Sequence, residues 1–384
     1  MKKKVLFISA AERWNLGDLL FPIVFKHFAE TKGLEFCNTG IQAYESNDLD
    51  LLPVLDIREF RRHKNSLLII GGGEVLNANI GTLKYYLESR NGFHRFSDAI
   101  ISRLQRGSFL DRNLRRLRII FWQAQYGILS LRIVNFYNNI LRDSDRFYLP
   151  VGGKFNENEK RGRKILSNTK MIAGRDQRTH ESFPVELNVG LSPDPVSVIR
   201  TVFPVRKEKK KQLVVQFSSP GTFSPEQLAK LISSFISNGF KVIGLAIGRC
   251  NGHDDIESLR NMKKRIPHMD VVESGTIGQS VEILASSTVY MGTSLHGAII
   301  AHAYGNAVIG LTERVPKLKS YISTWMSEYA FNYQASSTVS DLTSFVERFD
   351  SKKAQINADA LAAKAEEYTL SLIDHVLLDL HETL

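Results

Sequence analysis

The feature that most constrains the fold is an alternation of short apolar runs and amphipathic runs that restarts in the second half of the chain. Leu213 to Phe217 reads as a strand, Pro225 to Ser237 as a helix opened by Ser224 as N-cap with Pro225 in its first position, and Phe240 to Ile247 as another strand. Asp254 to Arg265 has helical spacing, Met269 to Val272 is extended in type, and Gly278 to Ala285 is helical again. Strands alternating with helices call for a parallel sheet, because parallel neighbours need a crossover, and the crossovers are right-handed.

The alternation leads into Ser286 to Leu311. Thr288 to Met291 is a strand-type run, Gly292-Thr293-Ser294 a turn with two hydroxyls, Leu295 to Tyr304 a helix by length and apolar content, and Ala307 to Leu311 a further strand. In open α/β sheets ligands sit outside the carboxyl ends of strands, and a helix N-terminus behind such a turn attracts anions. His296 stands in that first turn, and histidine is the side chain that titrates near neutrality. A purely structural role is equally open to a histidine there, and Thr293 and Ser294 serve equally well as helix caps.

The first half follows the same pattern. Val5 to Ile8 is a buried-type strand, and the loop Arg13-Trp14-Asn15-Leu16-Gly17-Asp18 leads to a helix expected from about Leu19 to Glu30 with Asp18 as its N-cap. Ser66 to Ile70 is a strand ending in Gly71-Gly72-Gly73-Glu74, a glycine run that suits a tight turn or an anion-binding nest. Its glycines lack dinucleotide spacing, so a nicotinamide cofactor is not expected. Arg118 to Trp122 and Arg146 to Val151 read as strands, Glu157 to Ser167 as a polar helix, and Met171 to Asp176 as a strand running into Arg175-Asp176. The prolines of Ser192-Pro193-Asp194-Pro195 imply a rigid loop, with Asp194 a second-rank site candidate.

The charged run Arg206 to Lys211 separates two apolar segments as an exposed connector would. It places the expected domains at 1–205 and 206–357, with a C-terminal helix over 358–384 that packs back on the first. With 384 residues the chain has length for two cores. Its net charge of +10 implies attraction to anions without saying which. Cys37 and Cys250 fit no metal or disulfide spacing, the first strand is too short for a signal peptide, and no run approaches the ~20 apolar residues of a membrane span. A cytoplasmic location is the expectation. The arginine-rich amphipathic stretch Phe96 to Arg118 suggests either a solvated face or peripheral contact with anionic membrane.

Ser294-Leu295-His296-Gly297 leading into Ile299-Ile300-Ala301-His302-Ala303-Tyr304-Gly305 resembles the C-terminal signature of the polysaccharide pyruvyl transferase family. Asn15-x-Gly17-Asp18 after the first strand, the glycine triplet, Arg175-Asp176, the Asp194 segment and a lysine at Lys317 or Lys319 are similar to further family segments in the same order, so that the resemblance runs roughly from Val5 to Lys319. It implies an α/β, GT-B-like fold of two Rossmann-like domains with parallel sheets facing across a cleft. It also implies transfer of pyruvate from phosphoenolpyruvate onto a saccharide as a ketal during cell-surface polysaccharide biosynthesis. His296 would then be general acid and phosphate contact, Arg175 would share the catalytic and donor-binding roles, and Thr293, Ser294 and Lys317 would hold the donor, with Asn15, Gly17, Asp18, Gly72 and Gly73 lining the acceptor cleft. No metal or cofactor is implied beyond the donor substrate, and the acceptor would be a saccharide, in one version lipid-linked. Two departures are visible: family members often carry Arg where Ser294 stands and Pro where Ala307 stands. The alternatives are a nucleotide-sugar glycosyltransferase of the same architecture, gripping a diphosphate with Gly292 to His296, and a basic nucleic-acid-binding protein, for which no recognition motif is present.

Overall fold

The computed structural model describes residues 4–45, 51–60, 66–76, 144–155, 168–205, 208–218, 223–250 and 253–381. The arginine-rich stretch 96–118, the expected strand 118–122 and the expected helix 157–167 lie outside them. The first sheet holds β1 (Val5–Ile8), β2 (Cys37–Gly40), β3 (Leu55–Asp56), β4 (Leu67–Ile70), β5 (Arg146–Tyr148) and β6 (Thr169–Met171), in the order β3-β2-β1-β4-β5-β6. The second holds β7 (Gln212–Gln216), β8 (Lys241–Leu245), β9 (Asp270–Val272), β10 (Val289–Gly292), β11 (Ala307–Leu311) and β12 (Ala330–Tyr333), in the order β9-β8-β7-β10-β11-β12. Every neighbouring pair in both sheets is parallel. The two orders are the same doubly wound pattern, and it reverses direction between β1 and β4 in one sheet and between β7 and β10 in the other. Such reversals open a crevice at the carboxyl ends of the strands.

The central strands are buried on both faces, as Val-, Ile- and Leu-rich runs require in a helix-covered parallel sheet. The α-helices among the described residues are α1 (Leu16–Thr31), α2 (Gln177–His180), α3 (Ile199–Val202), α4 (Pro225–Ser237), α5 (Ile256–Arg265), α6 (Ile277–Ser286), α7 (Leu295–Ala303), α8 (Pro316–Trp325), α9 (Val339–Arg348) and α10 (Ser351–His381), beside two short two-stranded ladders and three 3-10 turns. One apolar core joins the halves, running from Phe21 and Phe25 of α1 through Leu295 and Ile300 of α7 to Leu372 and Val376 of α10. The last helix begins at Ser351, ahead of the expected 358. It lies on α1, on α7 and on the Pro195–Val198 turn, and its Tyr368 hydroxyl donates to the Tyr148 carbonyl at 2.9 Å.

Two further expectations need correction. Helix α1 starts at Leu16 with Asn15 at the N-cap position, so Asp18 is inside the first turn, where its carboxylate takes Arg13 Nη2 at 3.1 Å instead of capping. Helix α5 starts at Ile256, and only Asp254 bonds its first turn, to the Ile256 amide at 3.0 Å. Asp255 turns back to the amides of Ile247 and Gly248.

Candidate active site

Two seams bring the halves together. The loop after β1 pairs with the loop after β8: the Leu16 amide donates to the Ile247 carbonyl at 3.0 Å, the Arg249 amide to the Trp14 carbonyl at 2.9 Å, and Asn15 bridges Gly248. The Arg249 guanidinium lies 3.6 Å from the centre of the Trp14 ring, a cation–π contact. On the other side α8 docks on α2. Trp325 Nε1 donates to the Arg175 carbonyl at 2.8 Å, and Ser320 Oγ donates to Asp176, which also caps α2 through the Thr179 amide.

Between these seams sits a cluster of charges. Asp194, fully buried in its proline-braced loop, accepts from the Val196 amide with one oxygen. With the other it takes Arg175 Nη1 at 3.0 Å and stands 3.5 Å from His296 Nε2. Arg175 Nη2 reaches Glu74 at 3.3 Å, and Arg178 Nη2 reaches the same Glu74 oxygen at 2.6 Å. The imidazole and guanidinium expected to share a site therefore meet on one carboxylate oxygen. Burial by itself would push the Asp194 carboxyl up, but the His296 contact and the charge of Arg175 outweigh it and hold the group below the ordinary carboxylate range. Glu74 is depressed in the same way, burial being overcome by Arg175 and then Arg178.

His296 is placed by shape as well as charge. Its ring packs edge-on to Phe21 with centroids 5.4 Å apart, and its Nδ1 lies so close over Gly17 that a Cβ there would fall 1.7 Å from it. Gly17 is needed for this approach, because any side chain at 17 would displace the imidazole. Its contribution is thus to seat His296. Gly72 and Gly73 both have positive φ, 96° and 47°, and carry the chain past Phe21 and Asp18 to Glu74.

The cations differ in what they have left to give. Both terminal nitrogens of Arg175 are taken by carboxylates and its side chain is 1% exposed, so its fork is not open to a donor as the sequence led one to expect. Lys317 is half-buried in the first turn of α8, close enough to feel the charges of Arg175, Glu74, Asp18 and Arg178, while Lys319 is exposed. No carboxylate among the described residues lies within ion-pair distance of Lys317. Burial, with Arg175 adding to it, pushes its ammonium below the ordinary lysine value.

The hydroxyls of the turn are committed internally. Ser294 Oγ caps the Gly297 amide, and Thr293 Oγ1 bonds Gln216 and the Ser218 amide. Glu74, Arg178, Gln216 and Asp255 carry much of this geometry and were missed as site residues. Glu74 follows the glycine triplet directly, and Gln216 is a polar residue ending a strand with no solvent face; those were the signals available.

Two parallel sheets of one strand order, their switch points turned toward a shared charged cluster, define a GT-B-like architecture. The S. aureus MnaA–UDP co-structure has it with a TM-score of 0.51 and 9% identity, over 98% of this chain and 97% of that one. A putative UDP-N-acetylglucosamine 2-epimerase from Listeria monocytogenes scores 0.49 at 11% identity over 98% and 95%, and the E. coli heptosyltransferase WaaC with ADP scores 0.46 at 12% over 90% and 100%. The first of these, at 9% identity, speaks for a shared fold and for nothing of the chemistry. Residues 15–313 match the polysaccharide pyruvyl transferase family, and the chain belongs to that family. No curated protein matches its sequence significantly. Membership makes it a transferase that modifies polysaccharide.

Proposed function

We propose that this chain moves pyruvate from phosphoenolpyruvate onto two hydroxyls of a saccharide, forming a ketal in cell-surface polysaccharide biosynthesis. The observation that carries the reading is the meeting of His296 and Arg175 on Asp194, beside Lys317, which pairs with no carboxylate among the described residues. The donor bears a phosphate and a carboxylate and must be protonated at its methylene carbon, so it needs cations and an acid side by side. Among the described residues of this cluster Lys317 has hydrogen-bonding capacity to spare, and an arriving anion favours its charged form. The amides of Leu295 and His296, at the positive end of α7, find no acceptor among the described residues and suit the phosphate.

His296 supplies the proton to the methylene carbon, and Asp194 stabilises the imidazolium before transfer and holds the ring in place. Protonation leaves an oxocarbenium-like carbon, which one sugar hydroxyl attacks. The carbon–oxygen bond to phosphate then breaks, inorganic phosphate departs with the proton of one hydroxyl, and the second hydroxyl closes the ketal as its own proton restores the one His296 gave up. No electron changes hands, so the balance calls for no redox cofactor. Arg175 is a positioning residue in this scheme, locking Asp194 and Glu74 at fixed separation. Among the described residues, the carboxylates of Asp18 and the partly exposed Glu74 would accept from sugar hydroxyls.

No helix among the described residues is long and apolar enough to cross a membrane. Contact with anionic membrane, where a lipid-linked acceptor would be met, rests on the 96–118 sequence and is tested by co-sedimentation with anionic and neutral liposomes. For the reaction itself, candidate glycans incubated with phosphoenolpyruvate should gain the mass of pyruvate less water. The proposal fails if nucleotide sugars, but not phosphoenolpyruvate, raise the melting temperature.

A further inference from the structure

The switch point of the second sheet, between β7 and β10, is where doubly wound folds commonly hold an anion. Here the place is taken by the chain itself. Gln216, 3% exposed at the end of β7, turns its Oε1 into the turn ahead of α7, where it accepts from the Ser294 amide at 2.8 Å and the Thr293 amide at 3.2 Å. The Tyr290 hydroxyl at 3.2 Å and the Thr293 hydroxyl at 3.4 Å point at the same oxygen. Successive backbone amides joined by hydroxyl donors form the kind of nest that receives an anionic oxygen, and a neutral amide oxygen fills it.

The filling is held from behind. Gln216 Nε2 donates to Asp255 Oδ1 at 2.9 Å, and Asp255 Oδ2 accepts from the amides of Ile247 at 3.0 Å and Gly248 at 2.8 Å. A flipped amide would face its NH2 to the nest donors and its oxygen to a carboxylate, so the orientation is fixed. Tyr290 reaches the spot only because positions 292 and 297 are glycine: a Cβ would stand 2.3 Å from its hydroxyl at the first and 2.4 Å at the second. The 247–249 loop behind Asp255 is itself bonded to Trp14 and Leu16 of the first half, so the assembly has no free edge along which to swing aside.

We propose that Gln216, anchored by Asp255, is a specificity-determining residue: it closes the amide nest ahead of α7 to a diphosphate and leaves only the Leu295 and His296 amides, enough for one phosphate. The single-phosphate donor rests on the function proposed above; the closed nest does not.

Calorimetric titration of the full chain and of Gln216→Ala with inorganic pyrophosphate tests it. In the variant the Ser294 amide loses its acceptor, while the Thr293 amide keeps the Gln216 backbone carbonyl at 3.2 Å and the Tyr290 hydroxyl keeps the Ser294 carbonyl at 3.3 Å. With that amide open, it should bind pyrophosphate at least about tenfold more tightly than the parent. Equal affinity overturns the proposal. Amide hydrogen exchange on the unaltered protein decides the matter even if the variant does not fold. The Ser294 amide, which among the described residues Gln216 Oε1 alone accepts from, should be protected before any ligand is added and unchanged by pyrophosphate, whereas slowed exchange there on adding pyrophosphate overturns the closed nest. Phosphoenolpyruvate titrated alongside separates the two ideas, since its failure to bind either protein counts against pyruvyl transfer and leaves the pyrophosphate result to judge Gln216.

Discussion

On the first-half side of the crevice, Arg175, Arg178, Glu74 and Asp194 are bound to one another as full charges; on the second-half side, Gln216, Tyr290, Thr293 and Ser294 form a network of neutral dipoles. The first wall sets the electrostatic field a donor meets, and removing Asp194 leaves the buried Arg175 with only the partly exposed Glu74 at 3.3 Å. The second wall sets geometry, holding the turn that presents His296 through neutral groups backed by a single carboxylate. Its one carboxylate, Asp255, is pushed up to about 6 by burial against its hydrogen bonds from Gly248, Gln216 and Ile247.

The two walls therefore respond to pH in opposite senses. Asp194 has its folded pKa below the unfolded value of 3.8, so its contribution is present above 3.8 and lost as pH falls through the folded value. Asp255 has its folded pKa raised, so its contribution is complete below 3.8 and lost as pH rises through about 6.

The largest expected effect comes from the residue both walls serve. His296→Gln should lower the rate of pyruvyl transfer about 100- to 10,000-fold with little change in melting temperature, measured by inorganic phosphate release. A rate within a few-fold of the parent would mean another group delivers the proton. Asp194→Asn breaks the charged wall and should cost about 3–5 kcal/mol in denaturant unfolding, because Arg175 loses a buried counter-charge. If the loss is under about 1 kcal/mol, the wall is not built on that ion pair. Asp255→Asn tests the other side. The parent should gain stability between pH 7 and pH 4, by on the order of 3 kcal/mol from this group at ~1.4 kcal/mol per pKa unit, and the variant should lack that gain. Identical pH profiles would remove the contrast between the walls. Lys317→Met should raise the KM for phosphoenolpyruvate about tenfold or more with a smaller change in kcat, as expected for one charge-assisted contact, while Lys319→Met should leave both unchanged.

Much of the fold was legible because it is written locally. Apolar periodicity, Ser224-Pro225 at a helix start and the turn after β10 announce strands and helices within windows of a dozen residues, and they placed His296 at a helix N-terminus at the carboxyl edge of a parallel sheet. Arg175 was legible as a residue type in a setting. What its fork holds was not, since Asp194 lies 19 positions away and Glu74 101. The same distance in sequence hid Gln216, whose partners are at 255 and 290–294, and hid the choice of Lys317 over Lys319, which depends on how α8 is rotated against α2. Periodicity fixes which face of an element is buried. Which charges then meet across the crevice is decided only when separate elements dock and each buried polar atom must find a partner, a constraint that no short window of sequence contains.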